Sequence, residues 1–252
     1  MTRLDTRWWA GTALFLLVVV GALVVSTAGA HGEQRSPDHN PALFPAHSHP
    51  YGSSMEHWAG SWWRWALSVP AARSPFFSST GDCGVGQTGP VFFVPPFAVG
   101  STDHSRSCVV EEGKAVAVSL STVLTEFPCP DPAFRPAPGQ SLLDFLRATS
   151  VAGNADIAQI EVTLDGEPLK DLLGYHFVSD ELLYIRGDRS LQSKVDSCIT
   201  GEVQPAALDA YFILFRPLPP GHHTIVRRVV TTKGRVTGPN TTEIEVVRER
   251  AL

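Results

Sequence analysis

The chain of 252 residues carries 20 Lys and Arg side chains against 25 Asp and Glu, which is a formal net charge of −5. Nucleic-acid binding needs a basic surface, so this balance excludes nucleic acid as a partner. Apolar residues make up 43% of the chain, which excludes disorder for most of it, and 21 Gly and 20 Pro favour many turns over long helices.

Residues 1–30 have the pattern of a secretory signal peptide. Arg3 and Arg7 precede an uncharged apolar run from Trp8 to Val25, and the segment ends in small residues up to Ala30. We therefore predict export, with cleavage after Ala30, to a secreted, periplasmic or cell-surface location. The apolar run is also long enough to span a bilayer, so the alternative is an uncleaved membrane anchor with the domain outside.

Four cysteines lie in the exported part of the chain, where thiols oxidise: Cys83, Cys108, Cys129 and Cys198. Three pairings are open. We favour Cys83 with Cys108, which closes a short segment, and Cys129 with Cys198, which ties an irregular loop to a distant one. The alternative is a zinc site, although no two of the cysteines have the close spacing that zinc sites use.

The exported chain divides into an arm and one domain. Residues 31–52 are rich in Pro, His, Ser, Asn and Gly, which predicts a flexible arm. Residues 53–252 contain no repeat and no internal linker, so we predict a single disulfide-stabilised domain.

Short apolar runs bounded by Gly, Pro and polar residues predict β-strands in this domain. They lie at 91–94, 107–110, 115–120, 159–164, 175–178, 182–186, 209–215, 223–231 and 242–248. One short helix is predicted at 141–151. Because few helices separate the strands, the predicted fold is mainly β, an antiparallel β-sandwich of the immunoglobulin-like or jelly-roll-like kind.

A Trp-rich helix is predicted at the start of the domain. Ser53 and Glu56 fit a capping box, and Pro70 ends the apolar pattern. Trp58, Trp62 and Trp65 fall on one helical stripe that is typical of a core. Trp63 and Arg64 lie off that stripe. An exposed indole at position 63 would stack on sugar rings, so Trp63 with Arg64 is a candidate ligand-binding pair beside the alternative of core packing.

The chain resembles a family of exported prokaryotic proteins that has no assigned activity. The resemblance covers roughly residues 58–248 and depends on five motifs, namely Trp63-x-Trp65; Gly81, Cys83, Gln87, Gly89, Pro90 and Val91; Arg106 and Cys108; Leu164-Asp165-Gly166; and Pro220-Gly221 with His223. This resemblance implies export, the fold and a Cys83–Cys108 disulfide, and it carries over no catalytic residue.

Histidines cluster near the predicted mature N-terminus. In an extended arm His47 and His49 point the same way, a spacing that chelates copper or zinc. Cleavage after Ala30 would also give His31 a free α-amine beside its imidazole, which is similar to the histidine brace of copper-dependent polysaccharide monooxygenases. The alternatives are a metal-binding arm, a copper enzyme and a solvated arm that binds metal only incidentally.

A polar pocket is predicted around the Cys83–Cys108 pair, where Asp82, Gln87, Asp103 and His104 gather if that bond forms. The alternative for Gln87 is that it satisfies backbone groups of a turn. Of His222 and His223, which open a strand, the inward one is predicted to be a hydrogen-bonded structural histidine.

These observations predict an exported, non-catalytic binding or surface-structural module whose candidate ligand is a carbohydrate and which needs no cofactor. Neither a nucleophile elbow nor a phosphate-binding glycine loop occurs in the sequence. The alternative is a metal-binding protein or a copper-dependent oxidoreductase that uses His31 and the histidine-rich arm. A membrane is a partner only if the signal segment stays uncleaved.

Overall fold

The computed structural model of the protein describes residues 40–74, 76–77, 82–96 and 104–248. The predicted signal peptide, His31 and Asp103 lie outside these ranges. Across the described ranges, no helix has both the length and the apolar character that a membrane span requires.

The described ranges contain ten strands and two α-helices. In chain order they are α1 (Met55–Ser68), β1 (Val91–Phe93), β2 (Ser105–Glu111), β3 (Ala115–Glu126), α2 (Leu142–Asn154), β4 (Ile157–Leu164), β5 (Glu167–Pro168), β6 (His176–Val178), β7 (Leu183–Arg186), β8 (Val203–Phe215), β9 (Gly221–Thr231) and β10 (Val236–Val247). Both predicted helices and all nine predicted strands are present, and the mainly β fold with two helices is confirmed.

The strands make two sheets that pack against each other as a sandwich. The first sheet has the order β1-β3-β8-β6, with β7 also paired to β8, and the second has the order β2-β10-β9-β4-β5. The predicted β-sandwich is confirmed. Its sheets are mixed, since β1 pairs with β3 and β2 with β10 in parallel, whereas the other neighbouring strands pair antiparallel. Long connections link the parallel partners, and a long connection permits parallel pairing where a hairpin does not.

The two central strands of the first sheet are buried over long stretches. Residues 115–120 of β3 and 206–210 of β8 are buried without alternation, because both faces of these strands are covered. The N-terminal end of β4 packs less deeply than its middle, and strand β2 alternates strictly between buried and exposed residues. The core therefore lies between the sheets and under the two helices.

Helix α1 begins one residue later than its predicted capping box. Ser54, and not Ser53, is the N-cap, and its hydroxyl accepts a hydrogen bond from the His57 N–H at 3.1 Å. The helix ends at Ser68, and Val69 is extended as expected of a residue before proline. Trp62 and Trp65 are buried on the predicted apolar stripe.

Residues 40–52 differ from the predicted flexible arm. Leu43 is fully buried and pairs with Phe215, while the Asn40 side chain exchanges hydrogen bonds of 2.8 Å with the backbone of Lys170. The polar composition concealed these anchors, because one buried Leu and one buried Asn are enough to attach a segment that is otherwise exposed. The described part of the arm therefore belongs to the domain.

Both favoured disulfides are confirmed. Cys83 is bonded to Cys108 on β2, and Cys129, which follows β3, is bonded to Cys198. No cysteine is free, so the zinc alternative for these four residues is excluded.

Two arginines lie in the interior of the sandwich. Arg227 on β9 reaches across to the opposite sheet, where its Nη1 donates to the Ser119 carbonyl, and Arg106 on β2 donates to the Pro96 carbonyl at 2.8 Å. Burial, together with the charge of Arg106, lowers the pKa of Arg227 to about 10. These guanidinium groups bring positive charge and polar contacts into the space between the sheets.

Candidate binding groove

A groove of about 1000 Å³ runs beside the N-terminal half of α1. We call it the α1 groove. Its lining consists of His49, Gly52, Ser53, Ser54, Glu56, His57 and Arg64 from the segment before α1 and from the helix itself, and of Asp180, Glu181, Leu182, Leu183 and Tyr184 from the β6–β7 turn and β7.

The close approach of α1 to β7 places the two walls of the groove. Gly60 faces this strand, since a Cβ atom built on it would lie 3.4 Å from Leu183 Cδ1, an ordinary contact distance. Strand alternation then buries Leu183 and turns Tyr184 outward. The Arg64 Nε donates to the Tyr184 carbonyl at 3.0 Å and joins helix to strand.

Two carboxylates of the β6–β7 turn act on a third, that of Glu56, in this groove. Burial, followed by the negative charge of Asp180, raises the pKa of Glu56. A hydrogen bond from the Asp180 backbone lowers this pKa, the charge of Glu181 raises it, and the charge of Arg147 has the smallest effect, a lowering one. Burial lowers the pKa of His57, and the positive charge of Arg64 lowers it further. At neutral pH the uncharged form of His57 therefore predominates.

Exposed aromatic rings lie along and beside the groove. Tyr184 is 58% exposed, and Tyr51, next to the lining residue Gly52, is 45% exposed. The Tyr51 ring contacts Phe44 and Trp58 edge-on, with centroid distances of 6.0 and 6.2 Å. Tyr51 has a φ of 55°, an uncommon conformation for a residue other than glycine. The surrounding rings thus hold Tyr51 in a fixed, partly exposed position.

Of the ligand-binding residues predicted from the sequence, Arg64 lines the groove and Trp63 does not. The Trp63 side chain is half-buried, its Nε1 donates to Thr122 Oγ1 at 2.9 Å, and its ring stacks near Phe76 at a centroid distance of 6.5 Å. Trp62 contacts it edge-on at 5.0 Å. These contacts match the core-packing alternative for Trp63.

The predicted pocket around the first disulfide is organised differently from the groove. Gln87 uses its side-chain amide for three backbone contacts, donating to the carbonyls of Cys83 and Phe93 at 2.6 and 2.8 Å and accepting from the Phe93 N–H at 2.6 Å. His104 Nδ1 lies 3.0 Å from Asn240 Oδ1. Gln87 therefore takes the structural role that was its alternative, and Asp103 lies outside the described residues.

Of the predicted metal-ligating histidines His47 and His49, the first lies within a turn and the second follows it. His47 is exposed in a turn closed by the Ser48 N–H and the Pro45 carbonyl at 3.0 Å, whereas His49 lines the α1 groove. The extended backbone expected at 47–49 is absent there because the turn bends the chain. The described ranges contain no group of three or more His, Cys, Asp or Glu side chains that could hold a metal ion, and His31 lies outside them.

A second polar cluster lies on the first sheet. The Asp209 carboxylate is almost fully buried, and it accepts a hydrogen bond from Asn154 Nδ2 at 2.6 Å and contacts His176 Nε2 at 2.9 Å. Ser121 donates to Asn154 at 2.8 Å, and the His176 ring stacks on Tyr211 at 4.3 Å. This cluster fastens the C-terminal end of α2 to β3, β6 and β8.

The prediction of one structural histidine at the start of β9 agrees with the contacts of His223. Its two ring nitrogens contact Asp165 Oδ2 at 2.7 Å and the Pro219 carbonyl at 2.9 Å. Burial lowers the pKa of His223, but the hydrogen bonds to Asp165 and Pro219 and the charge of Asp165 outweigh it, so the pKa is raised overall. His222 is exposed.

Sequence reasoning missed most of the groove. Glu56 was assigned only to a capping box, and no sequence pattern linked it to Asp180 and Glu181. Strand alternation was the one available signal for Tyr184, since a tyrosine between two apolar strand residues points away from the core.

Comparisons with known proteins add little. Models of protein families give no match, and neither do curated proteins. A solved structure of the SrpA adhesin from Streptococcus sanguinis is similar over 56% of this chain, at 11% identity and a TM-score of 0.21. The chain spans about half of that structure, 54%, and a likeness this weak carries no argument. The resemblance to an exported family stays a prediction.

Proposed function

We propose that the protein is an exported, non-catalytic binding module that holds an oligosaccharide in the α1 groove. The observation that carries this proposal is the composition of one concave surface. An exposed tyrosine ring, three carboxylates, an arginine and two histidines line the same groove.

Export is supported by the two disulfides, because such bonds persist in oxidising compartments outside the cytosol. The signal peptide predicted at residues 1–30 points in the same direction. The partner is therefore to be sought among extracellular molecules.

An oligosaccharide suits the groove in size and chemistry. Small-molecule pockets measure about 300–1000 Å³, so this groove has room for more than one sugar ring. Carboxylates accept hydrogen bonds from sugar hydroxyls, while guanidinium groups donate to ring and hydroxyl oxygens. The flat face of Tyr184 offers stacking area at a small cost in side-chain entropy.

The backbone around the groove suits recognition without rearrangement. Glu56, His57 and Arg64 lie on a capped helix, and Tyr184 lies on a strand whose partner β8 is in the core. Groups on such elements keep their positions when a ligand arrives, which limits the entropic cost of binding.

The first test is a glycan array followed by calorimetry with Tyr184→Ala. We expect the native protein to bind at least one oligosaccharide, and we expect Tyr184→Ala to weaken that binding by roughly 1 kcal/mol or more through loss of the stacking surface. Phe77→Ala, which removes an exposed ring that does not line the groove, is the matched control and should bind as the native protein does. An array without any signal would rule out the proposal.

The metal-binding alternative stays a prediction that depends on His31 together with His47 and His49. Calorimetric titration of Cu(II) into protein with a sequenced N-terminus tests it directly. Binding no tighter than micromolar would exclude a dedicated copper or zinc site in the arm.

A further inference from the structure

The charges along the α1 groove are unequal in number. Glu56, Asp180 and Glu181 supply three carboxylates, whereas Arg64 supplies the one guanidinium among the lining residues. Because the pKa of His57 is lowered, this imidazole adds little positive charge at neutral pH. The groove therefore carries an excess of negative charge.

The basic group in the groove is also engaged. Arg64 Nε donates to the Tyr184 carbonyl, and this contact keeps the guanidinium at the strand side of the groove. After burial, the negative charge of Asp180 is the strongest influence on the pKa of Glu56, and the charge of Glu181 raises this pKa more than the positive charge of Arg147 lowers it. A ligand that brings its own positive charge would relieve this repulsion between carboxylates.

From these charges we infer that the α1 groove selects oligosaccharides that carry free amino groups, such as β-1,4-linked glucosamine, over acetylated or neutral oligosaccharides. The inference rests on the proposed function and specifies the class of sugar. One sugar ring stacks against Tyr184, and another stacks against the neighbouring Tyr51. The ammonium groups of the oligosaccharide lie against the carboxylates of Asp180, Glu181 and Glu56. The groove is concave and has a volume of about 1000 Å³, which is enough for more than one sugar ring. A charged oligomer therefore meets the carboxylates and the aromatic faces together.

The test compares three hexamers of equal length by calorimetry at about pH 6, where exposed carboxylates are ionised and most amino groups of the glucosamine hexamer are protonated. The hexamers are those of glucosamine, N-acetylglucosamine and glucose, all β-1,4-linked. We expect the glucosamine hexamer to bind at least about fivefold more tightly than the other two. Equal or tighter binding of the acetylated or neutral hexamer would overturn the inference and leave the proposed function standing, whereas no binding of any hexamer would overturn both.

Spermine separates attraction of amines from recognition of a sugar. It carries several ammonium groups but no ring that stacks on tyrosine, so we expect it to bind at least about tenfold more weakly than the glucosamine hexamer. Spermine binding as tight as that of the hexamer would overturn the assignment to a sugar.

Charge removal gives the residue-level test. The double variant Asp180→Asn, Glu181→Gln should bind the glucosamine hexamer about fivefold more weakly and the N-acetylglucosamine hexamer within about twofold of the native protein. The matched control is Glu167→Gln, Glu202→Gln, which removes two exposed carboxylates outside the groove and should change neither affinity. Equal effects of the two double variants would contradict the inference.

Salt provides a measurement that needs no variant. Binding of the glucosamine hexamer to the native protein should weaken as sodium chloride rises, because exposed charge pairs are screened. Binding of the same hexamer that is independent of salt would likewise contradict an electrostatic selection.

Discussion

Glu126, near the end of β3, is a carboxyl group in the interior of the protein. It is 4% exposed. Burial raises its pKa to about 7, with a further contribution from the negative charge of Asp196, against a smaller lowering by its own backbone N–H. The folded protein therefore binds a proton at this residue over a pH range in which the unfolded chain has released it.

The pH dependence of stability follows from that raised pKa. Because the folded state holds the proton more tightly, the contribution of Glu126 to stability is lost as pH rises from about 4.5 to about 7. The loss amounts to about 3 kcal/mol. We expect Glu126→Gln to remove this fall of the unfolding free energy with pH. In urea unfolding the variant should match the native protein near pH 4.5 and exceed its stability near pH 8.

The control for this prediction is Glu202→Gln, whose side chain is exposed and should leave the fall of the unfolding free energy with pH unchanged. If the unfolding free energy of Glu126→Gln still fell with pH as it does in the native protein, other groups would be its cause.

At the same scale, the sequence anticipated side chains with local partners better than those with distant ones. Gln87 bonds to backbone groups within six residues of itself, and this structural role was foreseen as an alternative. His176 and Asp209 are 33 residues apart in the chain and meet because their strands, β6 and β8, are paired. No sequence signal linked them. Contacts within a turn depend on nearby residues, whereas contacts across strands depend on register.

Helix α2 shows how closely an element is fitted to its neighbour. A Cβ atom on Gly153 would lie 2.8 Å from Val123 Cγ2 of β3. Valine is stiff about χ1, so this methyl group cannot move away without cost. The glycine therefore allows the last turn of the helix to lie directly against the strand.

We expect Gly153→Ala to destabilise the protein by about 1–2 kcal/mol, although alanine is the better helix former. In a Val123→Ala background the same change should cost less or become stabilising, because the clashing methyl groups are gone. Urea unfolding of the four proteins of this double-mutant cycle measures the coupling. Ala152→Gly, at the exposed neighbouring position, is the control that reports helix propensity alone. If the effects of the two substitutions on the unfolding free energy were additive, the packing argument would be contradicted.

Element positions were largely predictable, and their boundaries and partners were less so. Apolar periodicity located both helices and nine strands, because burial imposes the repeat of each element on its sequence. The two-residue strand β5 has no such repeat and was not predicted. The parallel pairing at the sheet edges was missed for a different reason. The direction of an edge strand depends on the path by which a long connection returns the chain to the sheet.

At the scale of the whole molecule, two disulfides connect segments that are far apart in the chain. Their sequence separations are 25 residues for Cys83–Cys108 and 69 residues for Cys129–Cys198. In the loop-entropy description, a longer closed loop restricts the unfolded chain more strongly. The second disulfide should therefore stabilise the fold more than the first.

We expect replacement of Cys129 and Cys198 by serine to lower the unfolding free energy by roughly 4 kcal/mol, and replacement of Cys83 and Cys108 to lower it by roughly 3.5 kcal/mol. Urea unfolding of both double variants under non-reducing conditions measures the difference. A larger loss from the shorter loop would show that contacts in the folded state, and not loop entropy, set the order.

By itself the sequence determined which segments form helices and strands and which cysteine pairing to favour, because these depend on composition and repeat along the chain. It also predicts export. Only the tertiary structure decided that Glu56 on α1 and Asp180 in the β6–β7 turn line one groove, and that residues from Asn40 onward join the domain. More than a hundred residues separate Glu56 from Asp180 in the chain. The physical reason is that their meeting depends on sheet order and on the packing of α1 against β7, which no local pattern encodes.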